Sequence, residues 1–416
     1  MNLFRNGRAF AAALCLALVA LGTTFGSEAS AALPADSVLR PPDAGRIVHR
    51  WAAFNQVPTN FTAAQAAVAA PAFDLATVKP TASMAPVVAA MRNANPQLKV
   101  LVYHNGAFAQ KNEGTRYPAA WYARDANGNK IVQTVFGNFL MDVSHAGWVG
   151  EVVRQCRAAK ATTGANGCYT DMLMTAPLFD NYASGGKPIN PATGRQWTFP
   201  DFQRAVEAIA DAVRTGVPGP YAANGVARGK RWFATGGASS KTLTNHVDAA
   251  HSEIWLRDRT LSANQWPSVA DWKLDVDMIA QAEAERRVVM VETKLWETAS
   301  PALVDRWRAF TLGSFLLGTE GRSTWFLFTP ASSFAGMAAA HPWDDVPVGS
   351  PLSPYSRQGA GGAYVRTFTS GFVAVNPGGV GVSVPLPAGS WRNLQGQTQT
   401  GTISLAARTA SIWVRA

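Results

Sequence analysis

The chain has 416 residues, a net charge of +10, a charged fraction of only 15% and 14 tryptophans. That length suits one long α/β domain with room for a small extra module. The positive excess is spread along the chain, and its densest cluster, Arg228-Gly229-Lys230-Arg231, reads as a solvated loop, so no nucleic-acid partner is expected.

Arg5 and Arg8 form a basic start, Ala9 to Leu21 an apolar segment too short to span a membrane, and Ala29-Ser30-Ala31 a small-residue cleavage site. Residues 1–31 therefore read as a signal peptide, and the mature protein as soluble and secreted or periplasmic. No later stretch is apolar and long enough for a membrane span. Cys156 and Cys168 lie beyond this leader, and an exported compartment permits their pairing. The first would sit late in a helix and the second at the start of the next strand. Closing so short a loop would contribute ~2–3 kcal/mol.

Arg46 to Phe54 reads as a first strand, followed by a long Ala-rich connection and a helix near Met84 to Asn93. Leu98 to His104 is continuous and β-branched, the pattern of a strand buried on both faces. Gly106 to Leu140 is a long irregular stretch holding Trp121 and Tyr122. A connection this long in a compact domain is usually functional or disordered, and its aromatics point away from disorder. Ser144 reads as the N-cap of a helix whose apolar face is Trp148, Val149, Val152, Val153 and Cys156.

Gly167 to Leu173 is a short apolar strand that carries Asp171. Thr198 with Asp201 matches a capping box and opens a helix with Phe202, Val206, Ile209, Ala210 and Val213 on one face. Further strands are expected at Pro220 to Gly225, Ala249 to Trp255, Arg287 to Val291 and Ser323 to Phe328. Helices are expected at Trp272 to Glu285 and from Ser300-Pro301 onward.

Strands thus alternate with helices from about 47 to 345, seven strands in all. That pattern predicts right-handed βαβ units and an α/β fold, a (β/α)8 TIM barrel over residues 32–345. A doubly wound open sheet is the alternative, but no phosphate-binding glycine loop accompanies a strand. From 346 to 416 short strands separated by turns such as Asn376-Pro377-Gly378-Gly379 predict a small antiparallel β-sandwich. It packs against the barrel or, alternatively, binds carbohydrate through Trp391 or Trp413.

Several chemistries lack their motifs. There is no Gly-x-Ser-x-Gly elbow, no His-Glu-x-x-His and no nucleotide fingerprint, and the six histidines are scattered. Neither a metal nor another cofactor is expected. What remains is carboxylates at strand ends, Asp171, Glu253 and Glu292, beside aromatics. Glycosidic cleavage uses such a set: one carboxylic acid protonates the leaving oxygen, and another carboxylate attacks the sugar or activates water. Aromatic faces stack on the apolar faces of sugars.

Tyr103-His104-Asn105, Leu140-Met141-Asp142 with Ser144 and Gly147-Trp148, Gly167 to Asp171, Glu253, and Phe372 to Pro377 together resemble bacterial glycoside-hydrolase-like proteins. Those proteins have a (β/α)8 barrel and a C-terminal β domain, and lie near the polygalactosaminidase and α-galactosidase-like barrels. The resemblance spans about 47 to 416 and implies action on a polysaccharide or oligosaccharide. These barrels typically place a polar residue after the strand-end Asp, where this chain has Met172.

Asp171 is then the expected nucleophile or general base. Glu253 is the expected general acid, its pKa raised by Trp255 and a dry pocket, with Glu292 in reserve for either role. Asp142 caps the following helix or lines the site. Tyr103, His104 and Asn224 would hydrogen-bond sugar hydroxyls, and Tyr103, Trp121, Tyr122, Trp255 and Trp296 are the candidates to stack on sugar rings. The competing expectation is a non-catalytic glycan-binding protein on the same scaffold.

Overall fold

The computed structural model describes residues 37–42, 45–180, 182–184, 186–258, 260–338, 341–359 and 361–416. The leader expected over residues 1–31 lies outside the described residues.

Eight parallel strands close into a barrel: β1 (His49–Ala53), β2 (Leu75–Val78), β3 (Lys99–Asn105), β4 (Gly167–Asp171), β5 (Tyr221–Asn224), β6 (Ala249–Ser252), β7 (Val289–Lys294) and β8 (Thr324–Thr329). Each pairs with the next, and β8 pairs with β1. Seven of these coincide with expected strands. The eighth, β2, hides in the Ala-rich connection, together with a helix α1 (Ala63–Ala69). All four β2 residues are buried, so they carry no polar alternation that would betray a strand.

The outer layer continues with α2 (Ala85–Ala94), α3 (Ala146–Thr163), α4 (Phe199–Gly216), α5 (Val269–Ala284) and α6 (Pro301–Gly318). The starts of α4, α5 and α6 follow from side chains that accept otherwise orphaned backbone N–H groups. Thr198 accepts from Asp201 N (3.2 Å), Ser268 from Asp271 N (3.0 Å), and Ser300 from Leu303 N (3.3 Å). The five apolar positions expected on α4 are all buried. At α3 the cap is His145, not Ser144: His145 Nδ1 accepts from Gly147 N at 3.0 Å, while Ser144 Oγ donates to Asp142. Cys156 on α3 and Cys168 on β4 form a disulfide, Cα to Cα 6.0 Å.

Gly167 opens β4 because nothing larger fits, since a Cβ there would stand 1.8 Å from Pro220 O on the neighbouring strand's approach. The long stretch after β3 is ordered. Phe108–Ala109, Val132–Gln133 and Phe139–Leu140 form an antiparallel sheet with Ala183–Ser184 from the connection after β4. The two longest loops at the C-terminal mouth of the barrel are thereby knitted together.

Beyond the barrel, six antiparallel strands, including Tyr364–Thr367, Gly371–Asn376 and Thr409–Arg415, form one sheet, and Val382–Pro385 pairs with Thr402–Leu405 in a second. Strand alternation divides the larger sheet's two faces. Phe372, Ala374 and Trp413 pack with Val384, Trp391 and Ile403 in a core of the β domain's own. Val373, Val375 and Ile412 join the barrel core instead. Trp391 and Trp413 are thus packing residues, which removes them as a sugar platform. Gly313 on α6 lets helix and sheet touch, because a Cβ there would lie 2.5 Å from Ala410 Cβ. Arg366 reaches across to the carbonyls of Leu316, Leu317 and Thr319, which the end of α6 leaves unpaired.

Candidate active site

The side chains that alternate inward near the strand ends converge at the C-terminal mouth. On β4 these are Tyr169 and Asp171, on β3 Tyr103, and on β7 Glu292 and Lys294. Asn224 ends β5, and Glu253 follows the last residue of β6.

Asn224, fully buried, is the hub. Its Nδ2 donates to Asp171 Oδ1 at 2.9 Å and to Glu253 Oε2 at 2.5 Å. Those two carboxylate oxygens therefore lie at most 5.4 Å apart, the sum of the two bonds. Asp171 also accepts from Tyr103 OH at 3.0 Å and from Met172 N at 2.8 Å. Met172 sits in the left-handed region, φ 66°, a sparsely populated conformation for such a residue. The turn it makes folds the backbone N–H back onto the carboxylate, so at this position the backbone, not a polar side chain, supplies the donor.

Glu253 is held from its other side by the Lys294 ammonium, which also lies 3.5 Å from Glu292 Oε2. Glu292 is fully buried beneath the mouth. It accepts from Gln56 Nε2 (3.1 Å) and stands 3.4 Å from His251 Nε2. His251 is bonded in turn to Tyr169 OH at 2.6 Å and lies edge-on to Trp51.

These neighbours push the two carboxyls in opposite directions. Burial raises Asp171, and the charge of Glu253 raises it further against the donors Asn224 and Tyr103. Burial also raises Glu253, but Lys294 and His251 outweigh it and hold the group down at about 2. Burial and then Asp171 lift the phenols of Tyr103 and Tyr169 well above their ordinary value, so both stay protonated and Tyr103 can donate to Asp171.

Other expected site residues lie elsewhere. His104 follows Tyr103 on β3 and so faces the helix layer, where its Nε2 bonds Thr170 Oγ1 at 2.7 Å. It cannot reach a sugar in the mouth. Trp255 is fully buried between sheet and helices, with its Nε1 donating to Asp275 O (2.9 Å) and its ring edge-on to Phe315. It does not form a dry pocket around Glu253, and Glu253 is lowered, not raised. Asp142 takes the first of its two expected roles, accepting from Ser144 N and Oγ ahead of α3. Trp121 stacks on Tyr117, and Tyr122 is buried under Lys130. Trp296 alone among the expected tryptophans stands at the mouth, half-buried, its ring 4.8 Å from Lys294 Nζ and its Nε1 donating to Thr329 Oγ1. Among the described residues, His104, Cys156 and Cys168 gather potential metal-ligating atoms, but the two sulfurs are joined to each other.

A cavity of about 1520 Å³ lies at the opposite end of the barrel, where Arg46, Glu283, Glu320 and Arg366 are among its lining. Chemistry in this fold sits at the C-terminal ends of the strands, and the carboxylate pair is there.

Residues 92–372 match the family described as Hypothetical glycosyl hydrolase family 15. The chain belongs to that family. Membership assigns it to the glycoside hydrolases, as the resemblance implied. No curated protein matches the chain. Among solved structures, a dextranase of Flavobacterium johnsoniae bound to isomaltotriose is similar at 12% identity and TM-score 0.50, over 91% of this chain and 52% of that one. A Malbranchea cinnamomea α-amylase is similar at 9% and 0.49, over 89% and 96%. A maltogenic α-amylase from Thermotoga neapolitana is similar at 10% and 0.46, over 90% and 97%. At such identities these likenesses concern the fold alone.

Within this family member, Lys294, His251, Tyr169 and Gln56 are the contributors that motif reading passed over. For three of them a signal was present. Residues two apart on a strand share a face, so Tyr169 accompanies Asp171 and Lys294 accompanies Glu292, while His251 stands two before Glu253. Gln56 had no such signal; it follows β1 in a 3-10 turn.

Proposed function

We propose that this chain is an exported glycoside hydrolase that cleaves a polysaccharide or oligosaccharide with Asp171 and Glu253 as its carboxylate pair. The observation that carries the reading is the single Asn224 amide bonded to both acids. Two carboxylate oxygens no more than 5.4 Å apart fit the close-set pair of double displacement, about 5–5.5 Å between groups, better than the about 6.5–9.5 Å spacing of single displacement. Retention of anomeric configuration is the expected outcome. One carboxylate attacks the anomeric carbon as the other passes a proton to the leaving oxygen. Water then releases the sugar, giving its proton back to the second group.

Tyr103 and Asn224 hold the pair in register, and Trp296 offers a ring at the mouth on which a sugar can stack. Export rests on the leader pattern at the N-terminus. The test is a panel of polysaccharides incubated with the purified mature protein, with reducing ends as readout. Release that vanishes in both Asp171→Asn and Glu253→Gln is expected. Binding without release, or release that survives either substitution, overturns the reading.

A further inference from the structure

A pair of carboxylates related by one bridging amide is nearly symmetric, and the bridge does not say which acid attacks and which protonates. The asymmetry comes from what else touches each group. Glu253 Oε1 is in contact with the Lys294 ammonium. Among the described residues, no ion pair is formed with Asp171; its hydrogen-bond donors are a phenol, an amide and a backbone N–H, all neutral, and the Lys294 charge acts on it more weakly than burial, Glu253, Asn224 and Tyr103 do. A cation favours the charged form of its neighbour far more than a neutral donor does.

We infer that Lys294 is the positioning residue that divides the labour of the pair, fixing Glu253 as the ionised nucleophile and leaving Asp171 to carry the proton. The inference rests on the hydrolase reading above but specifies its roles. Glu253 attacks the anomeric carbon, the bond to the leaving oxygen breaks, and that oxygen takes the proton from Asp171. In the second step the Asp171 carboxylate accepts a proton from water as the water displaces Glu253.

Lys294 is well placed to be constant through this cycle. Its side chain is 1% exposed, and its Nζ lies between Glu253 and Glu292, so a second fixed carboxylate keeps the ammonium anchored when Glu253 becomes an ester. The titratable groups that face Glu253 are Asp171 and Tyr169 on β4, Tyr103 on β3, His251 on β6, and Glu292 and Lys294 on β7. Of these, Lys294 is the one in direct contact with the Glu253 carboxylate as a cation. The directions of the two carboxyls, Asp171 up and Glu253 down, agree with this division.

Two readouts test it, one of which needs no substrate. The side-chain carboxyl of Glu253 is followed by carbon NMR in protein labelled at the glutamate carboxyl, with the signal assigned by its loss in Glu253→Gln. In the wild type it should titrate well below the ordinary glutamate range, and in Lys294→Met that midpoint should rise. Lys294→Gln, which keeps a donor but no charge, should give the same rise if the Met variant fails to fold. An ordinary or elevated midpoint in the wild type, or one that neither substitution moves, overturns the inference whether or not the protein hydrolyses anything.

The second readout is azide rescue on an activated aryl glycoside. In Glu253→Gly, azide should attack the anomeric carbon directly and yield a glycosyl azide of inverted configuration. In Asp171→Gly, azide should intercept the Glu253 ester and yield the retained configuration. The opposite assignment of products overturns the division of roles while leaving the hydrolase reading intact. Inactivity of the wild type on every glycoside would instead sink the hydrolase reading, and the NMR midpoint would still decide what Lys294 does.

Discussion

Replacing Asn224 by Ala removes one side chain and two hydrogen bonds to carboxylates, at 2.9 and 2.5 Å. Hydrogen bonds to charged groups contribute about 1.5–3 kcal/mol each, so the gross loss is ~3–6 kcal/mol. Asp171 and Glu253 are both partly exposed at the mouth, so water can enter the vacated space and return some of this. A net loss of ~3 kcal/mol in the transition state corresponds to a fall in kcat of about 150-fold. The change should fall on kcat more than on KM, because the amide holds the reacting groups and not the remote sugar rings. With the bridge gone, Asp171 loses one of the donors that oppose its upward shift, so the group should titrate still higher. The assay is initial rate against pH on whichever glycan the panel identifies, with a thermal melt to confirm folding. A folded Asn224→Ala enzyme within threefold of the wild type, with an unmoved pH profile, would refute the claim that this amide organises the pair.

Three further outcomes follow from the same structure. Asp171→Asn should melt at or above the wild-type temperature despite its inactivity, because it removes a partly desolvated charge facing another carboxylate; a clear drop in calorimetry would contradict the cause given for its raised pKa. Glu253 behaves oppositely: its depressed pKa adds stability that is present above the ordinary glutamate range and is lost as pH falls toward about 2. Urea unfolding between about pH 5 and 2 should therefore show a steeper acid loss in the wild type than in Glu253→Gln, and parallel curves would refute it. Replacing Cys156 and Cys168 together by Ser should cost about 3 kcal/mol in the same assay, the loop entropy for a separation of 12 residues, without changing the carboxylate geometry.

The barrel was legible because seven of its strands read as short, mostly apolar runs between helices, and two of those helices announce themselves with Thr198 and Ser300. β2 was not, because four residues in an alanine-rich stretch carry no period. The site was legible in part. Asp171, Asn224 and Glu253 were expected from their places at strand ends, and the structure brings them within hydrogen-bonding distance of one another. His104 was misplaced for want of one rule: next to Tyr103 on a strand, it must face the other way. Trp255 was misplaced for the converse reason. Two residues after Glu253, it would share a face with it on a strand, but β6 ends at Ser252 and the turn that follows, with Leu256 at φ 62°, sends the ring into the helix layer. The expectation that Glu253 would be raised failed with it. The group that sets its charge is Lys294, 41 residues away in sequence and adjacent only once the barrel closes.

The most direct test of the central claim is the anomeric configuration of the first product, followed by proton NMR on the glycan that the panel identifies. Retained configuration is expected in the wild type, and no product from either Asp171→Asn or Glu253→Gln. Inverted product would contradict the close-set pair, and undiminished product from either variant would contradict the assignment of these two carboxylates.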